Sequence, residues 1–276
     1  MLTRYVALVA EKSSITPSEL TRVAAALQKQ AVRDFGPIWE VEATVDAFTK
    51  LEDVPLDYWP IIVKDDIGDP SAAGYHDDEQ GQPFSLVQFS QGWHLTASHE
   101  LVEMLGDPFG RRMVAGESPV AGQGRVKFLV EVADPCEDAK FSYTINGIQV
   151  SDFYTPRYFD PVKASGVRYS YTGSIASPRQ VLKGGYLSWY VPATKKWWQR
   201  TWFGGNKPAD RTLARLQIQN GNLRGAIDRE TEAQRQKAMR SGRGTALARK
   251  PTATNASLTG RASDIRTAMA AVGRRR

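Results

Sequence analysis

Three histidines and 13 glutamates are spread over 276 residues, and one histidine stands in the run His99-Glu100-Leu101-Val102-Glu103. On a helix, residues four apart share a face. His99 and Glu103 would therefore offer an imidazole nitrogen and a carboxylate oxygen to the same cation, with Glu100 about 100° further around. The H-E-x-x-H pattern of metalloproteases uses this spacing: two ligands on one face and an intervening Glu as base for a metal-activated water. Here Glu103 replaces the second histidine, and a carboxylate is an accepted zinc ligand. Composition alone would produce an H-E-x-x-E run about 0.01 times in this chain, so the match carries information. The plain alternative is a solvated helix face.

Two protein ligands do not make a catalytic zinc site, so a third must come from elsewhere in the chain. The run Glu131-Val132-Ala133-Asp134-Pro135-Cys136-Glu137-Asp138 gathers four carboxylates, which disfavour one another's charge unless a cation is near. Glu131, Asp134 and Glu137 are the candidates, and spacing does not choose among them; the alternative is a turn rich in Asp and Pro. Asp107 is a weaker candidate, eight residues from His99 along a straight helix. His76 reads as a residue of a polar turn that contacts substrate or is an ordinary loop histidine. His94, five residues before His99, falls on a different helix face. Asp152 could orient a ligand, and Tyr75, Tyr143 and Tyr154 are candidate oxyanion donors. Cys136 reads as a small buried residue, and as the only cysteine it excludes an internal disulfide framework.

These groups need a scaffold. Arg4–Ala10 predicts a first strand. Thr16-Pro17-Ser18-Glu19 predicts a capped helix start, and Leu20, Val23, Ala24, Leu27 and Ala31 carry that helix to about Asp34, with a break at Phe35-Gly36-Pro37. Alternation over Glu40–Phe48 predicts a half-buried strand. Trp59–Val63 and Pro83–Phe89 predict two more, with a turn at Asp65–Pro70. From Trp93 the period becomes helical and Gly106-Asp107-Pro108 ends the run. Val126–Val132, Phe141–Ile145 and Ile148–Ser151 read as strands, the last two joined at Asn146-Gly147. Tyr186–Val191 and Trp197–Trp202 predict a closing hairpin, core on one face and a Trp/Lys rim on the other.

The net charge of +6 conceals a division. Residues 206–276 hold 16 Lys+Arg against 5 Asp+Glu, and every aromatic residue lies at or before Phe203. A segment without aromatics buries little surface. The expected organisation is a folded domain over 1–205 and a basic, partly helical arm over 206–276, the arm interrupted near Asn220-Gly221-Asn222 and at Ser241–Gly244, with a short helix over 263–272. The fold class expected is α/β (α+β), a mixed sheet with a metal-site helix. No apolar run reaches the length of a membrane span, and the N-terminal apolar stretch is too short for a signal peptide. The expected location is cytoplasmic or virion-associated, with no membrane partner.

The stretch Gly74-Tyr75-His76-Asp77, Pro83-Phe84 and Ser98-His99-Glu100-Leu101-Val102-Glu103-Met104-Leu105-Gly106-Asp107-Pro108 resembles a group of zincin-like metallopeptidases of bacterial and phage origin. Glu131–Glu137 and Val150-Ser151-Asp152-Phe153 carry the same resemblance, which spans roughly residues 1–205. It implies a zincin-like fold, a Zn2+ site at His99 and Glu103, and Glu100 as general base. The third histidine of the longer zincin motif would fall at Phe109, so that ligand is replaced.

The function expected is zinc-dependent hydrolysis of a peptide or protein substrate, with Pro83–Phe89 pairing to extended substrate. An anionic Glu in place of His makes the activated water less acidic, so activity is expected at higher pH than in His-ligated relatives. The alternative is a catalytically silent structural protein, such as a phage virion component, whose basic arm docks to neighbouring subunits or contacts nucleic acid.

Overall fold

The structure, a computed structural model, describes residues 2–11, 13–68, 72–213, 216 and 223–240. It is a mixed α/β chain with two five-stranded sheets, a two-stranded sheet and few helices among the described residues. Two compact units are formed: Met1–Pro108 with Thr144–Val150, and Phe109–Tyr143 with the described residues from Ser151 onward.

In the first unit, β1 (Arg4–Ala10) lies parallel between β2 (Ala43–Phe48) and β3 (Tyr58–Lys64). The helix α1 (Pro17–Lys29) connects β1 to β2 as a crossover, and the Glu19 N–H donates to the Thr16 hydroxyl at 3.2 Å, closing the N-cap. The Glu19 carboxylate instead receives the indole N–H of Trp93 at 3.1 Å. The expected break at Phe35-Gly36-Pro37 is not there. A π-helical turn over Gln30–Phe35 leads into α2 (Gly36–Trp39), which ends at Glu40 with φ 55°. Pro37 sits in the first turn of α2, where its missing N–H costs nothing.

Beyond β3 the sheet adds β5 (Gln82–Gln88), parallel to β3, and β4 (Gly74–Glu79), antiparallel to β5 at the edge. The expectation of a polar turn around His76 is therefore corrected: His76 is a strand residue. β4 and β5 join through Gln80-Gly81, both at positive φ, and the Gly81 N–H donates to Asp78 Oδ2 at 3.0 Å. Pro83–Phe89 is likewise corrected as the substrate-pairing edge, because β5 is flanked by β3 and β4.

The helix α3 (Trp93–Gly106) buries twelve of its fourteen residues. It is thus a core helix and not the half-solvated one a single apolar stripe suggests. Leu86 and Phe84 of β5 belong to the cluster of Ala7, Val9 and Ile62. Ser85 points the other way and donates to Met104 Sδ of α3 at 3.6 Å. The hairpin β8 (Tyr143–Ile145) and β9 (Ile148–Val150) turns at Asn146-Gly147, both at positive φ, and the carbonyl of Gln149 bonds His94 Nδ1 at 2.9 Å.

In the second unit the sheet runs β12-β11-β10-β7-β6: β6 (Met113–Glu117), β7 (Arg125–Leu129), β10 (Tyr186–Val191), β11 (Lys196–Thr201) and β12 (Ala209–Thr212), all antiparallel. The aromatic hairpin forms as expected, Trp189 opposite Trp198 and Tyr190 opposite Trp197. β6 and β12 were not legible, being short and polar.

Structure continues past residue 205. β12 pairs with β11, and α4 (Leu223–Arg240) packs Ile227 against Leu129 and Leu213. The described part of 206–276 is integrated in the second unit, in place of the separate arm that charge and composition suggest. Asn220–Asn222, Ser241–Gly244, 263–272 and residues 69–70 of the expected Asp65–Pro70 turn lie outside the described residues.

Candidate metal centre

α3 carries three groups that its surroundings hold in place. Gly74 and His76 alternate with Tyr75 along β4, and His76 lies opposite Ser85, so both face α3. A Cβ at Gly74 would stand 2.7 Å from Thr96 Cγ2 and 2.9 Å from Glu100 Oε1. Only glycine lets β4 approach Thr96 and Glu100, one turn apart on α3. Next along β4, His76 is 2 % exposed, and its Nε2 lies 2.9 Å from the carbonyl of Asp107, just past the end of α3. A carbonyl only accepts, so Nε2 is the protonated nitrogen, and in the neutral ring Nδ1 is left with its lone pair. That Nδ1 is 3.8 Å from Glu100 Oε2, and neither atom has a hydrogen-bond partner. Glu100 thus presents a buried carboxylate oxygen that the fold itself does not use.

His99 and Glu103 lie on the neighbouring stripe of α3, His99 9 % exposed and Glu103 fully buried. Behind them, Ser98 donates to Gln30 Oε1 of the π-helical turn at 2.7 Å, which fixes the rotation of α3 about its axis.

The acidic run falls at the end of β7. Glu131 is buried and its N–H donates to the Tyr154 hydroxyl at 3.0 Å. Asp134 and Cys136 lie in a buried 3-10 turn. Asp134 accepts from Arg224 of α4 (Nη2–Oδ2, 3.3 Å), and Glu137 is in contact with Arg235. Burial works against the Arg235 charge, but the ion pair and hydrogen bond to Glu137, with Glu232 nearby, outweigh it and hold Arg235 above its ordinary value.

Within the first unit, His99 and Glu103 offer an imidazole nitrogen and a carboxylate oxygen from one stripe of α3. Those donors fit part of a catalytic zinc set, which a third protein ligand would complete. Asp107, at the end of α3, presents its backbone oxygen to His76. Within the second unit, Asp134 and Glu137 are each paired with an arginine of α4, and Glu131 is buried.

Elsewhere, Asp152 accepts from the N–H and hydroxyl of Thr172 at 3.0 and 2.7 Å, anchoring a loop. Tyr154 stacks on Tyr158, and Tyr143 lies against Tyr171. Cys136 is buried. Sequence reasoning missed the approach of His76 to Glu100 and the buried ion pair of Arg224 with Asp134. The available signal for His76 was the alternation of Gly74, His76 and Asp78 before Gln80-Gly81.

No described helix is long and apolar enough to cross a membrane. Comparison with known proteins gives no match to this chain among protein families, curated proteins or solved structures.

Proposed function

We propose that the protein is a zincin-like, metal-dependent peptidase in which His99 and Glu103, with Glu131, Asp134 or Glu137 as third ligand, hold a Zn2+ ion and Glu100 is the general base. The observation that carries the reading is the stripe of His99 and Glu103 on the buried helix α3, beside a buried Glu100 oxygen with no hydrogen-bond partner. When bound, the ion would supply Lewis acidity, lowering the pKa of water and polarising a peptide carbonyl.

Within that reading, the chain's own residues divide the work. Glu100 Oε2 takes the proton from the attacking water and returns it to the leaving amine. Gly74 and His76 pack beside that carboxylate from the β4 side. Peptide would be bound along β4, whose outer edge pairs with no described strand, by adding a strand antiparallel or parallel to it. Tyr158 and Tyr186 stay protonated, since burial raises both phenols well above their ordinary value, and neither competes as base.

The assembly and nucleic-acid reading leaned on the basic region, yet Arg211, Arg224 and Arg235 in its described part are paired with Glu230, Asp134 and Glu137. The test of the enzymatic reading is elemental analysis of purified protein followed by a peptide-library digest. About one zinc per chain and cleavage abolished by a chelator are expected; a folded protein without divalent metal affinity overturns it.

A further inference from the structure

We infer that the outer edge of β4 is selective for basic peptides: it takes an extended segment rich in Lys and Arg as an added strand. The inference rests on the reading of β4 as the edge that binds peptide, and its test needs no hydrolysis. The ladder with β5 sets which main-chain groups are on offer. The Gln88 N–H donates to the Ala73 carbonyl at 2.7 Å, one residue before β4 and in register with Gly74 opposite Val87. Bonded and non-bonded pairs alternate along an antiparallel ladder. Tyr75, Asp77 and Glu79 therefore bond β5, while Gly74 and His76 each turn an N–H and a C=O outward. The Asp78 N–H, next along that edge, is taken by Asp77 Oδ1 at 2.8 Å.

The opposite edge of the same sheet is handled differently. There β2 is the last strand, and its Val45 N–H donates to Gln28 Oε1 of α1. A side chain thus occupies the edge of β2, whereas among the described residues no strand pairs with the outer edge of β4.

Charge names the occupant. β4 carries Asp77, Asp78 and Glu79 and no Lys or Arg. The bias extends around it: residues 65–108, which include β4, β5 and α3, hold nine Asp and Glu and no Lys or Arg. Asp78 Oδ2 accepts the Gly81 N–H at 3.0 Å, so main-chain bonds fix Asp77 and Asp78 beside the edge and leave their charges in place. Coulombic attraction acts on that net charge and asks for no vacant oxygen. On a strand added to β4, side chains opposite Asp77 and Glu79 fall on one face and the one opposite Asp78 on the other. A run of basic residues therefore meets an acid at each step. A second copy of the chain does not fit, because β4 against β4 sets acids against acids.

The experiment measures binding of fluorescein-labelled decapeptides to the full chain by anisotropy, with a chelator present so that nothing is cleaved. The probes are arginine alternating with threonine, glutamate alternating with threonine, and the arginine peptide N-methylated at every amide. The arginine peptide is expected to bind about tenfold or more tighter than the other two, the scale of three cross-strand charge pairs. Salt at about 1 M should erase its advantage over the glutamate peptide. Asp77→Asn, Asp78→Asn and Glu79→Gln combined keep the acceptor oxygens of the turn and should weaken arginine-peptide binding about tenfold. Glu40→Gln with Glu42→Gln, beside the start of β2, should leave it within about twofold. Equal binding of the arginine and glutamate peptides overturns the inference. So does undiminished binding of the N-methylated peptide, or an equal loss in the Glu40 and Glu42 variant. If the triple variant does not fold, Glu79→Gln alone decides: weaker arginine-peptide binding at an unchanged Tm supports the inference, and wild-type affinity overturns it. Selective binding by a protein that takes up no zinc and cleaves nothing overturns the peptidase reading and leaves this surface standing. Cleavage without preference for basic peptides overturns this inference alone.

Discussion

His76 Nδ1 stands 3.8 Å from Glu100 Oε2, and both atoms are buried without a hydrogen-bond partner. Because His76 Nε2 is committed to the Asp107 carbonyl, the histidine ties the edge strand to the end of α3 and faces the Glu100 carboxylate without bonding it. Substituting His76→Leu should remove the buried hydrogen bond to the Asp107 carbonyl and cost about 1–3 kcal/mol. Urea unfolding measures it, and an unchanged midpoint would show that the carbonyl finds another donor.

Glu100→Gln separates chemistry from metal binding. The variant should retain zinc, because the ligand stripe of His99 and Glu103 is untouched. Its peptide hydrolysis should fall about 10²–10⁴-fold, the usual contribution of a general base. Equal turnover in the variant would remove Glu100 from the mechanism.

Metal loss should follow the ligands. His99→Ala and Glu103→Gln are each expected to drop bound zinc from about one per chain toward none at micromolar protein, since three-ligand sites lose their hold when one donor goes. Mass spectrometry under native conditions reads the stoichiometry; full occupancy in either variant would exclude that residue as a ligand.

Gly74→Ala tests the approach of β4 to α3. The added methyl would meet Thr96 Cγ2 at 2.7 Å and Glu100 Oε1 at 2.9 Å. Overpacking of this kind costs about 1–3 kcal/mol. The expected result is a lower Tm together with reduced hydrolysis, because Glu100 must move; wild-type values for both would show that the contact relaxes freely.

Ending the chain at residue 205 should not leave an intact body. It strips Arg224 and Arg235 from the buried Asp134 and Glu137, and breaking buried pairs costs about 3–5 kcal/mol each time a partner is lost. Expressed protein that melts as the full chain does would show α4 to be dispensable.

Asp152 gives a pH signature. Burial raises its pKa, against the hydrogen bonds from Thr172 that lower it, so folding favours the protonated carboxyl. In the window from the ordinary carboxylate pKa up to the raised folded one, the native state binds more protons than the unfolded chain, and stability falls as pH rises. Asp152→Asn should flatten that decline, so its stability relative to wild type grows with pH across the window. A difference independent of pH would mean that Asp152 titrates alike in both states.

Local structure was legible in the sequence because its signals are local. The Thr16 cap, the Asn146-Gly147 turn, the period of α3 and the alternation of β2 each depend on residues a few positions apart, and each element formed, although β2 begins only at Ala43 because Glu40 ends α2. The ligand stripe of His99 and Glu103, with Glu100 beside it, follows from helix geometry alone. Which acid joins them does not. Glu131, Asp134 and Glu137 look equivalent in sequence, and only the tertiary structure tells them apart, pairing Asp134 with Arg224 and Glu137 with Arg235 while Glu131 is buried beside Tyr154. His76 looked like a turn residue because buried polar groups and solvated ones share a composition; the pairing of β4 with β5 decided its place. The basic region looked like an arm for the same reason. Net charge counts arginines without seeing their partners, and Arg224 and Arg235 find theirs some 90 or more residues away in the chain.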